Sequence, residues 1–200
     1  MTAASAPATT TNLLLAGVGG QGVILASYLL SQVALDAGFD IKQSEVHGMA
    51  QRGGSVVSHL RFGEVVYSPL FTAGTADILL SFEPLEALRY VHWLKPEGTL
   101  IYNTVQVNPS TVASGLATYP QDIQERIAAS HAQVVGLNAM AIATRAGTSR
   151  ATNLVLLGAL SPHLPFTAAQ WDTVLRRELA PAILEVNLRA FELGREAADV

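Results

Sequence analysis

The 200-residue chain has no cysteine. That excludes a disulfide framework, and it excludes an iron–sulfur cluster or zinc centre ligated by the chain's own thiolates. Charge is also sparse. Asp, Glu, Lys and Arg make up 14% of the residues against 50% hydrophobic ones, so more than one buried face is expected, part of it against a partner. With 12 basic and 16 acidic residues the formal net charge is −4. No basic stripe is interleaved with aromatics, which argues against a nucleic-acid role. No apolar run approaches the ~18 residues of a membrane span. The first residues lack the charged and apolar regions of a secretory leader, so residues 1–11 are expected to form a flexible tail. Residues 12–200 are then a single domain long enough for a sizeable core. These absences fit a cytoplasmic protein. There is no internal repeat at a period of 20–50 residues.

What is present begins with a glycine cluster. The apolar run Asn12 to Ala16 ends in Gly17-Val18-Gly19-Gly20-Gln21-Gly22. Val23, Ile24, Ala26, Leu29, Leu30, Val33 and Ala34 then recur at helical spacing to about Ala37, with Gly38 as the C-cap. This is the strand, tight turn and helix start of a dinucleotide-type βαβ unit, with Gly17, Gly19 and Gly22 in G-x-G-x-x-G register. Gly17 allows the turn, Gly19 allows a ligand or another chain to approach its backbone, and Gly22 lets the helix pack close to the strand. The helix N-terminus offers free N–H groups and positive potential to an anion. A glycine turn that only packs a helix on a sheet has the same signature.

Asp40 to Ser44 reads as a second strand. A nicotinamide site needs an acidic residue at that strand's end to grip the ribose. Asp40 sits at the wrong end, and Glu45 runs straight into a second motif, so the fit is poor. The motif is Glu45-Val46-His47-Gly48-Met49-Ala50-Gln51-Arg52-Gly53-Gly54-Ser55. It offers two ionisable groups (Glu45, His47), an amide (Gln51), a fixed cation (Arg52) and glycines, Gly53 among them, for close backbone approach. It is expected on the same carboxyl-end side of the sheet as the first glycine loop, where open α/β sheets bind ligands. Arg52 suits either an anion or an ion pair with Glu45; His47 suits either a ligand or a loop hydrogen bond.

Ser55 to Phe62 alternates apolar and polar residues, and with Val65 to Ser68 it reads as a β-hairpin about Gly63 and Glu64. His59, in mid-strand, reads as a packed or half-exposed histidine rather than a ligand. Pro69, Leu70 and Phe71 put apolar bulk on a loop, which suits a partner contact. Ala76 to Phe82 is a core strand, and Pro84 opens a helix to about Trp93. Glu83 and Glu86 fall in its first turn, where negative charge is favoured without any catalytic role. Residues 95–98 read as a turn, 99–103 as a strand, 105–120 as irregular, 121–129 as a short helix and 131–137 as a strand. Asn138 caps the next helix. After a polar break at 146–153, Leu154 to Leu160 is apolar on every side and should be a fully buried helix. Thr167 caps Ala168 to Leu179, and Pro181 opens a last helix to about Gly194. The fold class is α/β and Rossmann-like: a mostly parallel sheet flanked by helices, with a β-hairpin insertion and a helical C-terminus.

Together, Gly17 to Val23 and Glu45 to Val56 resemble the gamma domain of the 2-oxoacid:ferredoxin oxidoreductases. The G-G-Q-G element is general there, and the H-G-M-x-Q-R-G-G wording resembles the indolepyruvate branch, its beta subunit. Asn153 and the helix around Gly158 also match that family's C-terminal part, so the likeness runs from about Asn12 to Glu192. It implies a complex that oxidatively decarboxylates an aryl 2-oxoacid with thiamine diphosphate, passes the acyl group to coenzyme A and reduces ferredoxin. Thiamine and iron–sulfur clusters sit on the alpha subunit in that family, in a hetero-oligomer such as α2β2. The gamma domain packs over the thiamine site and is linked with coenzyme A access. On that reading Gly17, Gly19, Gly20, Gln21, Gly22, Glu45, His47, Gln51, Arg52 and Gly53 form a coenzyme A-facing surface. A purely structural subunit and an NAD(P)-binding oxidoreductase remain as alternatives.

Overall fold

The computed structural model describes residues 10–48, 53–130 and 132–198, without the side chain of Ser110. Most of the proposed tail, His131, and the motif residues Met49, Ala50, Gln51 and Arg52 lie outside the described residues. Six strands, β1 (Thr11–Val18), β2 (Asp40–His47), β3 (Ser55–Gly63), β4 (Ala76–Ser81), β5 (Leu94–Asn103) and β6 (Gln133–Leu137), form one sheet in the order β2-β3-β1-β4-β5-β6. β1, β4, β5 and β6 are parallel, and β3 is antiparallel to both β1 and β2. β2 therefore runs in the same direction as β1, and the connections leaving both lie at the same edge of the sheet.

The helices are α1 (Val23–Asp36), α2 (Pro84–Tyr90), α3 (Ser110–Ala113), α4 (Ile123–Ala128), α5 (Ala139–Ala146), α6 (Thr152–Leu160), α7 (Ala168–Glu178) and α8 (Pro181–Ala198). β1 is covered on both faces, so its side chains are apolar without alternation. Leu13 and Leu15 enter a core with Leu29, Leu30, Leu157, Trp171 and Phe191, which places α1 and α5 to α8 on that face. Leu14 and Ala16 point the other way, into a smaller core with Ala87, Ile123 and Ile127 of α2 and α4. Helix α6 is buried from Asn153 to Leu160, as its unbroken apolar run requires. Its neighbour α8 approaches through Gly158 and Gly194, where no side chain separates the two backbones.

Local signals act as expected at several ends. Gly38 closes α1: its N–H and that of Phe39 bond to the carbonyls of Leu35 and Ala34. Asn138 caps α5 through the Ala141 N–H, and Thr167 with Gln170 forms a capping box on α7.

Two expectations fail. The hairpin of 55–62 with 65–68 does not form; β3 folds back on β2, and residues 65–68 are not a strand. Side chains satisfy that backbone instead: Asp40 accepts from the Val66 N–H at 2.8 Å, and Arg61 donates to the Ser68 and Leu70 carbonyls. The second motif is consequently the connection of the β2–β3 hairpin, and β2 runs on through Glu45 to His47. Residues 95–98 bend within β5 rather than ending before it: between the pairs Ala76–Leu94 and Ile78–Thr99, β4 advances two residues and β5 five. Phe71 is half-buried on the loop that carries Pro69 and Leu70. It packs edge-on to His59 and Trp93, leaving Leu70 and a 94% exposed Tyr67 at that surface.

Candidate functional site

The two glycine-containing segments meet. The Gly19 N–H donates to the Gly54 carbonyl at 2.8 Å, and the Gly53 N–H donates to Gly19 at 3.4 Å. The close approach that Gly19 permits is thus taken by the chain's own hairpin. Between them, α1 and the end of β2, lies an open cleft of about 480 Å³. Val18, Val23, Ile24 and Val56 give it apolar walls; Gly19, Gly20, Gly22 and Gly48 give it backbone; His47 is its one titratable lining group among the described residues.

Each glycine has a separate reason. A methyl at Gly17 would stand 2.7 Å from Val23 and 2.9 Å from Phe82, so this position carries the tight strand–helix packing. Gly22 is the residue before α1, at φ 81°, and a Cβ there would meet Asn153 of α6 at 2.7 Å. Gly20 differs: its φ is 101°, but nothing lies within 4 Å of where its Cβ would be, so its backbone faces open space. Among the described residues helix α1 begins without a side-chain cap or an acidic residue in its first turn, so its first N–H groups are open to an anion beside the cleft.

The Gln21 side chain is held by the chain's own backbone. Its carbonyl oxygen accepts from the Val18 N–H at 2.7 Å and its amide donates to the Phe82 carbonyl at 3.0 Å. Asn103 donates to that same carbonyl at 3.3 Å. The crevice between β1 and β4, where the connections diverge and an open α/β sheet usually binds its ligand, is therefore bridged from inside. The opening shifts to the β2–β3 side.

Gln43, Glu45 and His47 alternate along β2 and share its α1-facing side. Ser31 donates to Gln43 at 2.6 Å, and Gln43 donates to Ser27 at 2.9 Å and to Glu45 at 2.7 Å. This seam holds the exposed Glu45 carboxylate two residues from His47, whose ring, among the described residues, has a 3.3 Å contact with the Gly48 carbonyl. The geometry brings Gly19, Gly20, Gly22, His47 and Gly53 to one place. It leaves Glu45 on the rim and turns Gln21 inward. Glu83 and Glu86, read from sequence only as helix-start charges, are far more deeply used. Glu83 is wholly buried and accepts from the Leu85, Glu86 and Val107 N–H groups and the Tyr119 hydroxyl. That reach was invisible in sequence because Val107 and Tyr119 lie in an irregular stretch.

β3 occupies the place beside β1 that the second parallel strand of a dinucleotide unit would take. An acid at the end of β2 is thus two strands, roughly 10 Å, from β1. Among the described residues no cluster of three His, Asp or Glu side chains is arranged to hold a metal ion, and no helix is long and apolar enough to cross a membrane.

The sequence profile of the pyruvate ferredoxin/flavodoxin oxidoreductase family matches residues 12–197. The indolepyruvate oxidoreductase subunit IorB of Thermococcus kodakarensis is 44% identical over 192 residues, spanning 94% of this chain and 95% of that one. Among solved structures, the gamma subunit of a keto/oxoacid ferredoxin oxidoreductase from Geobacter sulfurreducens has a TM-score of 0.71 at 23% identity, covering 94% of this chain and 98% of its own. A 2-oxoglutarate:ferredoxin oxidoreductase from Magnetococcus marinus, solved with 2-oxoglutarate, coenzyme A and succinyl-CoA, has a TM-score of 0.74 at 18% identity; the fold covers 95% of this chain but 31% of that one. These two structures share the fold, and the sequence match carries the kinship: the chain belongs to the pyruvate ferredoxin/flavodoxin oxidoreductase family.

Proposed function

We propose that the chain is the cluster-free subunit of a 2-oxoacid:ferredoxin oxidoreductase acting on indolepyruvate or another aryl pyruvate. A partner alpha subunit carries thiamine diphosphate and the iron–sulfur clusters, in a hetero-oligomer such as α2β2 that reduces ferredoxin. The 44% identity to an indolepyruvate oxidoreductase subunit supports the substrate class. A chain without cysteine leaves cluster ligation to the partner. Thiamine, when bound by the partner, supplies the electron sink for decarboxylation. This chain covers that site and offers coenzyme A the cleft between the two glycine segments.

The observation that carries the coenzyme A assignment is the junction of Gly19 with Gly54 beside the uncapped start of α1. Free N–H groups suit a phosphate there, and the apolar walls suit a thiol-bearing arm. Arg52, outside the described residues, is proposed as a further phosphate donor. The test is co-expression with the thiamine- and cluster-bearing partner and assay of ferredoxin reduction over a panel of 2-oxoacids. Turnover with aryl pyruvates that depends on coenzyme A, and none from the isolated chain, is the expected result. Arg52→Ala and Gly20→Val raise the KM for coenzyme A; an unchanged KM in both removes that assignment.

A structural role is the second reading. It is favoured by Gly19 and Gln21, whose polar groups serve the chain's own backbone. On it, variants at the two segments lower the yield of complex and leave the KM of surviving complexes alone.

A further inference from the structure

The first turn of α2 holds two carboxylates that solvent barely reaches: Glu83 is 0% exposed and Glu86 2%. Glu83 is the N-cap, and its bonds to two helix N–H groups account for it. The helix does not account for Glu86. Its neighbour Arg89 pairs with it at 3.2 Å but is half exposed, so the pair repays little of the cost of burial. Burial pushes the Glu86 carboxyl up from its ordinary range, with Ser55 and Arg89 pulling it back and Glu83 adding to the rise.

What Glu86 gains is one strong contact. The Ser55 hydroxyl donates to its Oε2 at 2.5 Å. Ser55 opens β3, pairs with Val18 in register, and directly follows Gly54. Gly54 is the residue whose carbonyl accepts the Gly19 N–H. A line of contacts therefore runs from a buried carboxyl group on one face of the sheet, through Ser55 and Gly54, to the glycine turn that borders the cleft on the other.

We propose that Glu86 is a positioning residue that, through Ser55, sets Gly53 and Gly54 against Gly19 and so preforms the cleft for coenzyme A. The assignment rests on the reading above that this cleft meets coenzyme A. A preformed wall spares the ligand the ordering cost, so the effect falls on binding and not on the chemical step. Glu86→Gln keeps the shape and removes the charge. Ser55→Ala removes the donor, and Ser55→Thr restores it on a residue suited to a strand.

Two measurements separate this proposal from the coenzyme A reading. Amide hydrogen exchange of the whole chain reports Gly19 directly, with the β4 amides as a control for intact folding. In the assembled complex, steady-state kinetics report KM for coenzyme A, KM for the 2-oxoacid and kcat. Exchange at Gly19 is expected to accelerate about tenfold in Ser55→Ala, the scale of losing a hydrogen bond to a charged group, and severalfold in Glu86→Gln, whose amide oxygen still accepts from Ser55 but without the charge. KM for coenzyme A should rise by a similar factor, with kcat and the other KM within about twofold, and Ser55→Thr should recover both readouts. Unchanged Gly19 exchange in both variants, with β4 protected, overturns the positioning role. Faster exchange with an unmoved KM upholds the positioning and overturns the assignment of coenzyme A to this cleft.

Discussion

Gly158 of α6 and Gly194 of α8 face each other where the two helices cross, and a methyl group at either has no free volume. A Cβ on Gly158 would lie 2.0 Å from the Phe191 carbonyl oxygen; one on Gly194 would lie 2.0 Å from that of Val155. Close carbon–oxygen contacts run at about 3.3 Å, so the helices would have to separate by roughly 1 Å. Both obstructing atoms are backbone and cannot rotate aside. Helix α6 is also pinned between the sheet and α8, with every residue from Asn153 to Leu160 buried. Overpacking of this kind costs about 1–3 kcal/mol, and a rigid obstacle puts it at the upper end. Alanine regains about 1 kcal/mol of helix propensity over glycine. Gly158→Ala should then destabilise the chain by about 2 kcal/mol net, or about 4–8 °C in Tm for a domain of this size. Urea unfolding with an unchanged m-value would measure it. The double variant with Gly194→Ala should cost less than the sum, since one separation relieves both clashes. A Tm equal to or above that of the parent would show that propensity outweighs the crossing, and the close-approach argument would fall.

Three further outcomes follow from named contacts. Gln21→Leu strips the side-chain acceptor from the Val18 N–H and one of the two donors from the Phe82 carbonyl, which keeps Asn103, and chemical denaturation should show a loss of about 1–3 kcal/mol; a loss below about 0.5 kcal/mol would mean water replaces the amide. Tyr119→Phe removes the 2.6 Å bond to the buried Glu83 and should cost about 1.5–3 kcal/mol, the range for bonds to a charged group, with α2 still formed by circular dichroism. His59, buried with an unpartnered Nδ1 between Phe71 and Trp93, has its pKa lowered by burial. Above pH 6.5 it is neutral folded or unfolded; below that the unfolded chain takes the proton first, so its contribution is lost as pH falls toward the folded pKa. Thermal unfolding of the parent and His59→Phe at pH 7.5 and 5.5 should show the Tm difference shifting in the variant's favour at the lower pH, and parallel shifts would rule out His59 as a source.

Much of the candidate site's backbone was legible because its signals are local. A glycine cluster after an apolar run needs no partner to be recognised, and two such loops at a set spacing carried the family. What escaped were groups whose partners are distant in sequence. The bond of Gln21 to the Phe82 carbonyl was not visible because Phe82 lies 61 residues on. Glu86 read as a helix-start charge because its bond to Ser55 spans 31 residues. The hairpin failed for the same reason: Gly63 and Glu64 are a fair turn, but Asp40 and Arg61 had already claimed the backbone beyond them.

The sequence by itself determined most of the elements and most of their ends, the apolar surfaces they bury, and the absence of any thiolate to hold a cluster. These depend on periodicity, capping and residue chemistry over a few turns of chain. Only the tertiary structure decided that β3 lies between β1 and β2, that Gln21 bridges the crevice between β1 and β4, and that Gly19 is joined to Gly54. Strand order and long-range hydrogen bonds are set by which surfaces exclude water together, and the pattern along one segment does not encode its partner.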